Sequence, residues 1–230
     1  MNVLITGANR GLGLALVDYA LKKGDTVIAT VRKMSPELAE QQSKYPDALQ
    51  ILLLDVTDEE AIMQAQEKLA QKIDKIDVII NNAAILNGRD QMIENLSFED
   101  CLTAFDINTL GPARIIKHFL PLLRNGQQKS IINLSSEAGS LTNAYPGDYP
   151  YGLSKVALNM LTEKLLRELK DDQINVISVH PGWMHTDMGG KQAPTDPNDT
   201  AKGIYNFIEN PPKSTTGYQF FEYSGKMMDI

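Results

Sequence analysis

A tyrosine and a lysine that could work together on a proton stand four residues apart, in Tyr151-Gly152-Leu153-Ser154-Lys155. Residues at positions i and i+4 of a helix lie on one face and can meet. A neighbouring ammonium favours the ionised form of a phenol, so we expect Lys155 to lower the pKa of Tyr151 from about 10. Such a phenol is a general acid or base near neutral pH. The pair alone is more typical of a solvated helix face than of a catalytic site, so its meaning depends on the rest of the chain.

A glycine-rich segment near the start of the chain gives the pair a context. Thr6-Gly7-Ala8-Asn9-Arg10-Gly11-Leu12-Gly13 follows the apolar run Val3–Thr6 and leads into a helical pattern. Glycines between a strand and a helix let the backbone turn tightly and approach a pyrophosphate, which then sits on the helix N-terminus. A glycine-rich turn without a ligand is the alternative. The position between strand and helix favours nucleotide binding.

The end of the second predicted strand indicates which dinucleotide binds. NAD sites usually place an acid there to hold the ribose 2′-hydroxyl. This strand ends Ala29-Thr30-Val31-Arg32-Lys33, without an acid. Arg32 and Arg10 could instead pair with a 2′-phosphate, whose geometry suits guanidinium groups, although two exposed arginines without a ligand are the alternative. We therefore predict NADP(H) rather than NAD(H).

Two further segments follow predicted strands at the edge where open α/β sheets bind ligands. Asp55 and Val56 follow the third strand, and Asp55 is expected either to contact the adenine or to serve as a helix N-terminal acid. Asn82 and Ala83, in Asn81-Asn82-Ala83-Ala84, follow the fourth strand. Small residues there permit close approach of a cofactor, and a simple turn explains them nearly as well.

Apolar runs of strand length alternate with helix-period segments along the chain, which predicts an α/β fold of the Rossmann type. We expect a doubly wound parallel sheet of about seven strands with helices on both faces, because the strands are apolar throughout. The predicted strands are Val3–Thr6, Thr26–Val31, Leu49–Leu54, Asp77–Asn81, Ser130–Leu134, Asn175–His180 and Tyr218–Glu222. The predicted helices are Leu12–Lys23, Pro36–Ser43, Glu59–Ile73, Tyr149–Leu169, Thr200–Glu209 and a long one from the cap Ser97 to about Leu123, interrupted near Gly111-Pro112.

Composition narrows the classes of partner and compartment. With 230 residues the chain is expected to form a single domain, residues 1–230. A net charge of −7 argues against nucleic acid and anionic membranes as partners. The single cysteine, Cys101, excludes an internal disulfide, and no cluster of His, Cys and carboxylates suggests a metal. No signal-peptide pattern and no apolar stretch near ~18 residues are found, so we expect a cytoplasmic protein.

Taken together and in order, these motifs resemble those of the short-chain dehydrogenase/reductase family in its compact form. The Thr-Gly-x3-Gly-x-Gly motif spans residues 6–13, the family's Asn-Asn-Ala-Gly has Ala84 in place of its last glycine, and Tyr-x3-Lys is Tyr151 with Lys155. The segment from Pro181 to Thr186 is similar to the family's Pro-Gly segment, whose threonine contacts the nicotinamide carboxamide. A narrower resemblance, to the small carbonyl reductases of the sniffer and C-factor group, rests on residues 7–13, the region after Gly182 and residues 217–225.

The resemblance implies a set of site residues. The expected catalytic residues are Asn108, Ser136, Tyr151 and Lys155, with Ser135 as an alternative to Ser136. The tyrosines Tyr145 and Tyr149 compete with Tyr151 but have no lysine four residues later. The expected cofactor-binding residues are Gly7, Asn9, Arg10, Gly11, Leu12, Gly13, Arg32, Asp55, Val56, Asn82, Ala83, Tyr151, Lys155, Pro181, Gly182, Met184 and Thr186.

The implied activity is NADPH-dependent reduction of an aldehyde or ketone to an alcohol, with Tyr151 as the proton donor. Ser136 would orient the carbonyl, Lys155 would bind the nicotinamide ribose, and a water on a freed carbonyl near Asn108 would relay protons. The alternative is a nucleotide-binding regulatory or signalling protein of the C-factor type with little turnover. An apolar carbonyl substrate is expected from Leu86, Leu141, Tyr145, Trp183, Met184 and Met188, and a homodimer or homotetramer from the helices around Ser97–Leu123 and Tyr149–Leu169.

Overall fold

The computed structural model describes residues 1–212 and 217–230. Its centre is a seven-stranded parallel sheet in the order β3-β2-β1-β4-β5-β6-β7. The strands are β1 (Asn2–Thr6), β2 (Thr26–Val31), β3 (Leu49–Leu53), β4 (Val78–Asn81), β5 (Ser130–Leu134), β6 (Asn175–His180) and β7 (Phe220–Glu222). The predicted doubly wound fold is confirmed.

The strands are mostly apolar, and their side chains point alternately to the two buried faces of this sheet. On β1, Val3 and Ile5 join one buried cluster, and Leu4 between them joins the other. Because side chains alternate across a strand, an unbroken apolar run serves a sheet that is buried on both sides. The first cluster packs against α1 (Gly11–Lys22) and α7 (Pro197–Glu209). The second packs against the helices of the opposite face.

The remaining helices agree with the predicted pattern to within a few residues. They are α2 (Pro36–Lys44), α3 (Glu59–Ala70), α4 (Phe98–Phe105), α5 (Gly111–Arg124) and α6 (Tyr149–Glu168). The largest differences are three residues. Helix α3 ends at Ala70 and not at the predicted Ile73, and α7 begins at Pro197 and not at Thr200, because Asp196 caps it and Pro197 occupies its first turn. Ser97 caps α4 as predicted, its hydroxyl accepting from the Asp100 amide at 3.1 Å.

The predicted break in the long helix is a π-helical turn over Asp106–Leu110, between α4 and α5. The Gly111 amide donates to the carbonyl of Asp106, five residues back. Pro112, two residues into α5, has no amide proton, so the Asn108 carbonyl lacks its ordinary helical donor. The predicted location near Gly111-Pro112 is therefore confirmed, with the irregularity lying just before it. None of the helices described is long and apolar enough to cross a membrane.

Candidate active site

The sheet order reverses between β1 and β4, and a cavity of about 1240 Å³ opens at the carboxyl ends of the strands around that point. This is the place where open α/β sheets bind ligands. Of the four expected catalytic residues, Ser136, Tyr151 and Lys155 line the cavity. All the expected cofactor-binding residues also line it, namely Gly7, Asn9, Arg10, Gly11, Leu12, Gly13, Arg32, Asp55, Val56, Asn82, Ala83, Tyr151, Lys155, Pro181, Gly182, Met184 and Thr186.

The glycine-rich turn is held to the end of β4 by hydrogen bonds to Thr6. The Thr6 hydroxyl oxygen accepts from the backbone amides of Asn82 and Ala83, both at 3.0 Å. The Asn82 side-chain amide donates to the Thr6 and Gly7 carbonyls at 2.9 and 3.1 Å. Asn82 therefore braces the loop with its side-chain nitrogen.

Close packing inside the turn requires a glycine at position 13. A Cβ built on Gly13 would lie 2.1 Å from the Gly7 carbonyl oxygen, well inside contact distance. Helix α1 can thus approach the preceding turn only without a side chain there. The start of α1 is thereby placed at the wall of the cavity, with Gly11, Leu12 and Gly13 lining it.

The N-terminus of α1 differs from those of most other helices in lacking a side-chain cap. Its N-cap is Arg10, which offers no acceptor, whereas Ser35, Asp58, Ser97 and Asp196 accept from amides of α2, α3, α4 and α7. The first-turn amides of a helix that lacks such a cap are free to bind an anion, and the helix dipole favours one. The turn therefore fits the pyrophosphate of a dinucleotide.

Two exposed arginines flank this end of the cavity, and each faces a carboxylate. Arg10 pairs with Asp187 at 2.6 Å, which connects the glycine-rich turn to the segment after Pro181-Gly182. Arg32 lies 3.9 Å from Asp55. Exposed pairs of this kind contribute little to stability, so either guanidinium can exchange its partner for a phosphate.

Asp55 lines the cavity and fixes the turn before α3, without capping that helix. One carboxylate oxygen accepts from the amide and the hydroxyl of Thr57, at 3.0 and 2.9 Å, which fixes the turn before α3. The helix cap itself is Asp58, whose side chain accepts from the Ala61 amide. The second oxygen of Asp55 faces Arg32 within the cavity.

Ser136 occupies a short 3-10 turn that follows β5. Its hydroxyl oxygen accepts from the Ala138 amide at 3.2 Å, which leaves its proton free to donate into the cavity. Ser135 is 1% exposed, and its hydroxyl donates to the Lys155 carbonyl at 3.5 Å. The geometry favours Ser136 over Ser135. A Cβ built on Gly139 would lie 2.8 Å from the Lys155 carbonyl carbon, so the turn packs directly on α6.

Tyr151 and Lys155 share one face of α6, as predicted, but their electrostatics differ from the expectation. The Lys155 ammonium lies 5.3 Å from the centroid of the Tyr151 ring and donates to the Leu134 carbonyl at 2.7 Å. Burial raises the pKa of Tyr151 to about 12, and the hydrogen bond with Ser136 opposes that rise. The expected lowering of the Tyr151 pKa is therefore wrong, because desolvation of the buried phenol outweighs the hydrogen bond with Ser136 and the charge of Arg89. Burial also lowers the pKa of Lys155, to about 7.

Asn108 is the expected catalytic residue whose side chain does not reach the cavity wall. It lies in the π-helical turn, 1% exposed, where its side-chain oxygen accepts from the Ile85 amide at 2.8 Å. Its amide nitrogen donates to the Ile85 carbonyl and to the Ser154 hydroxyl, both at 3.0 Å. The Ser154 hydroxyl in turn donates to the Tyr151 carbonyl at 2.7 Å. The Asn108 side chain thus connects the loop after β4 to α6 beneath Tyr151.

The competing tyrosines are disposed differently from Tyr151. Tyr145 also lines the cavity, but its hydroxyl donates to Asp148 at 3.2 Å, and burial raises the pKa of Tyr145 to about 12. Tyr149 is not among the lining residues. Of the three, Tyr151 alone combines the cavity wall, the Ser136 hydroxyl and the nearby lysine.

Apolar side chains form the outer part of the cavity. Of the residues expected to contact substrate, Leu86, Tyr145, Trp183, Met184 and Met188 line it, and Leu141 does not. The segment 186–198, which contains Met188, is joined to its surroundings, since the Trp183 indole donates to the Gly189 carbonyl at 2.7 Å.

The family is shown by the sequence. The sequence model of the short chain dehydrogenase family matches residues 1–197 of this chain. The chain belongs to that family of oxidoreductases. Among its relatives is the C-signal of Myxococcus xanthus, 35% identical over 151 residues, which cover 65% of this chain and 90% of that protein.

Two carbonyl reductases are similar to this short-chain dehydrogenase over its whole length. The NADPH-bound carbonyl reductase from chicken fatty liver has a TM-score of 0.90 at 32% identity, covering 100% of this chain and 98% of that one. The carbonyl reductase Sniffer of D. melanogaster has a TM-score of 0.89 at 31% identity, covering 100% and 99%. The narrower resemblance to the Sniffer group is confirmed.

Three residues in or directly behind the wall of this dehydrogenase's cavity have contacts that the sequence did not assign. Thr6 was identified only as part of a motif, and its double acceptor role is read from the structure. Arg89 lines the cavity, donates to the Met188 carbonyl at 3.3 Å and lowers the pKa of Tyr151 against the larger effect of burial. His180 lines the cavity as well, and its ring accepts from the amide next to Ser136. In residues 1–212 and 217–230 no three His, Cys, Asp or Glu side chains are grouped so as to hold a metal ion.

Proposed function

We propose that this short-chain dehydrogenase reduces an apolar aldehyde or ketone to an alcohol with NADPH. The observation that carries the proposal is the convergence of Ser136, Tyr151 and Lys155 on the wall of a cavity whose other end is the uncapped start of α1. The similarity to an NADPH-bound carbonyl reductase supports the same cofactor. NADPH, when bound, supplies the hydride that adds to the carbonyl carbon.

Tyr151 acts as the general acid in this scheme. With a pKa of about 12 the phenol is fully protonated at neutral pH, as a donor must be. Negative charge develops on the carbonyl oxygen during reduction, and Tyr151 transfers its proton there. The Ser136 hydroxyl, whose oxygen already accepts from Ala138, donates its own proton to the same oxygen and stabilises that charge.

Lys155 restores the proton to Tyr151. Because burial places its pKa at about 7, Lys155 can release and recover a proton at neutral pH. Its nitrogen is fixed by the Leu134 carbonyl beside the Tyr151 ring. A water bound to the Asn108 carbonyl, which Pro112 leaves without a helical donor, would connect the site to solvent. Asn108 therefore contributes a backbone acceptor, and its side chain keeps the turn in place.

The proposed cofactor-binding residues form two groups, one for the phosphates of NADPH and one for its nicotinamide half. The amides at the start of α1 bind the pyrophosphate, and Arg10 and Arg32 bind the 2′-phosphate of NADPH. Thr186, on the opposite wall, lies against the turn, with its methyl 3.3 Å from the place of a Cβ on Gly11. Met184 and Thr186 would therefore contact the nicotinamide half, between the turn and Tyr151.

The direct test is oxidation of NADPH with a panel of aldehydes, ketones and quinones, each paired with a more polar analogue. Turnover with several apolar members, and weaker turnover with NADH, is the expected result. A second candidate function, a nucleotide-binding regulator, is favoured by the similarity to the Myxococcus C-signal. Tight NADPH binding with no turnover across the panel would support that function and contradict carbonyl reduction.

We also propose that the protein forms a homodimer through α4 and α6. These helices pack on each other. Helix α4 exposes Phe98 and Leu102, 76% and 72% accessible, and α6 exposes Leu153 and Met160. Residues 98 and 102 recur at helical spacing, as do 153 and 160, so each helix presents an apolar pair that an interface would cover. Light scattering should give twice the chain mass, and Phe98→Asp with Leu102→Asp should give one chain mass. A monomeric wild type would contradict the dimer.

A further inference from the structure

The turn that carries Ser136 depends on a side chain from another strand. Its Ala138 amide is satisfied by the Ser136 hydroxyl, and its Gly139 amide by the Ser136 carbonyl at 2.9 Å. The Glu137 amide instead donates to Nδ1 of His180, at 3.2 Å. His180 is the last residue of β6, so this side-chain hydrogen bond joins the Ser136 turn to the neighbouring strand end, one residue beyond the backbone bond from the Ser135 amide to the Val179 carbonyl at 2.8 Å.

Only one form of the His180 ring can accept this hydrogen bond. Neutral imidazole has one N–H donor and one bare acceptor nitrogen, whereas the protonated ring has two donors. With Nδ1 accepting from Glu137, the proton lies on Nε2. Protonation of Nδ1 would set two N–H groups against each other and leave the Glu137 amide without a partner.

The surroundings of His180 keep the ring neutral near physiological pH. Burial lowers the pKa of His180 from 6.5, and the carboxylates of Glu137 and Glu222 act in the opposite direction. His180 also lines a small cavity of about 210 Å³ with Lys226 and Asp229, and it shares the large cavity with the titratable groups of Tyr151 and Lys155. Because the ring borders both cavities, solvent protons have a route to it.

We propose that His180 is a positioning residue. Its neutral ring accepts the hydrogen bond from the Glu137 amide and thereby fixes the orientation of Ser136. This role rests on the proposed function, because Ser136 is the donor to the carbonyl oxygen. Protonation of His180 releases the turn, so carbonyl reduction declines as the pH falls below the histidine pKa. The contribution of this bond to folding is complete above pH 6.5 and is lost as the pH falls through the lower folded value.

The backbone around His180 is anchored independently of its ring. The His180 carbonyl accepts from the Tyr223 amide at 2.9 Å, and β6 pairs with both β5 and β7. A change of side chain can therefore remove the hydrogen bond without displacing the strand.

Two substitutions test the acceptor nitrogen of His180 and its ring independently. In His180→Asn the carboxamide oxygen takes the place of Nδ1, so the Glu137 amide keeps an acceptor that does not titrate. In His180→Phe the ring remains and the acceptor is lost. We expect kcat for the phenylalanine variant to fall about tenfold, as for loss of one hydrogen bond, with the Kd for NADPH unchanged. The asparagine variant should keep kcat within about threefold and lose the acidic limb of the wild-type pH profile.

Equal loss in both variants, or an acidic limb that persists in His180→Asn, would overturn the role of His180. If the phenylalanine variant does not fold, the pH profile of the asparagine variant decides alone. Nitrogen NMR of the wild-type ring gives a reading that needs no activity, and we expect a bare Nδ1 and a proton on Nε2. A proton on Nδ1 in the NMR spectrum would overturn the contact between His180 and Glu137. A wild type that reduces no carbonyl would instead contradict the proposed function.

Discussion

The two ends of the cavity are constructed by different means. The nucleotide end is built from backbone, since the turn over residues 6–13 offers glycines and free helix amides and is braced by Thr6 and Asn82. The carbonyl end is built from side chains of separate segments, with Ser136 after β5, Tyr151 and Lys155 on α6, and apolar residues from two loops. Each end should therefore respond to mutation in its own way.

Substitutions at the nucleotide end should change cofactor affinity and folding stability together. The hydrogen bonds of Thr6 and Asn82 both shape the glycine-rich turn and join it to the end of β4. Substitutions at the carbonyl end should change turnover and leave cofactor affinity nearly intact. Burial is the reason that the carbonyl end has unusual chemistry, as it raises the pKa of Tyr151 and lowers that of Lys155.

The largest effect is expected for Tyr151→Phe. Removing the proton donor should lower kcat at least ~100-fold, the usual contribution of general acid catalysis, with the Kd for NADPH unchanged. Tyr145→Phe is the matched control, because Tyr145 lines the same cavity but donates to Asp148. Steady-state rates and a fluorescence titration of NADPH measure both quantities. A comparable loss in the two variants would contradict the assignment of Tyr151.

Lys155→Met should stabilise the fold while it removes activity. The pKa of Lys155 is about 7 in the folded protein and 10.5 as a model value, so between these pH values the unfolded chain binds more protons. The stability of the wild type therefore rises with pH over that window, and its penalty is complete below pH 7. The variant should be more stable at pH 6, and its advantage should shrink by roughly 2 kcal/mol by pH 9.

Urea unfolding at the two pH values measures this difference. Lys164→Met, an exposed position on the same helix, serves as the control and should change stability little at either pH. An advantage for Lys155→Met that is the same at pH 6 and pH 9 would show that the buried lysine does not titrate as described.

Thr6→Val tests the brace at the nucleotide end. The valine has the shape of threonine but leaves the Asn82 and Ala83 amides without their acceptor, which should cost about 1–2 kcal/mol of unfolding free energy. NADPH affinity should fall with it, because the turn loses its anchor. Thr6→Ser keeps the hydroxyl and should retain both properties. A loss of stability without a loss of affinity would separate the two functions of the turn.

The smallest effect is expected for Arg10→Gln, at the exposed rim. Losing one charge-assisted bond to the 2′-phosphate should weaken NADPH binding about threefold to tenfold and leave NADH binding unchanged. Asp187→Asn, which removes the competing carboxylate at 2.6 Å, should strengthen NADPH binding slightly. Parallel titrations with the two cofactors measure the difference. Equal weakening for NADH would mean that Arg10 acts on the turn and does not select the phosphate.

The nucleotide end could be predicted from sequence because it is local. The glycines, the strand before them and the helix after them are contiguous, and their spacing reports the geometry of the turn. The sheet was predictable for a similar reason, since unbroken apolar runs require burial on both faces. An interruption of the long helix near Gly111-Pro112 was also predicted, and the structure places it just before, at Asp106–Leu110.

The residues of the carbonyl end could be predicted from the sequence, but the pKa values of Tyr151 and Lys155 could not. Spacing brings Tyr151 and Lys155 together, but only packing reveals that both are desolvated, which reversed the expected direction of the tyrosine pKa. The choice of Ser136 over Ser135 also required the structure, because neighbouring residues on an extended segment point in opposite directions. The contact of His180 with the Ser136 turn joins residues 43 positions apart, and no local pattern signals it.

The central claim is that a hydride passes from NADPH to a carbonyl carbon in this cavity, beside Tyr151. The most direct measurement uses NADPH in which both hydrogens at C4 of the nicotinamide are deuterium, an apolar aldehyde or ketone that the panel identifies, and NMR of the alcohol formed. We expect deuterium on the carbinol carbon, one equivalent for each NADPH oxidised, and almost none with Tyr151→Phe in the same time. Alcohol without deuterium, or equal transfer by Tyr151→Phe, would contradict it.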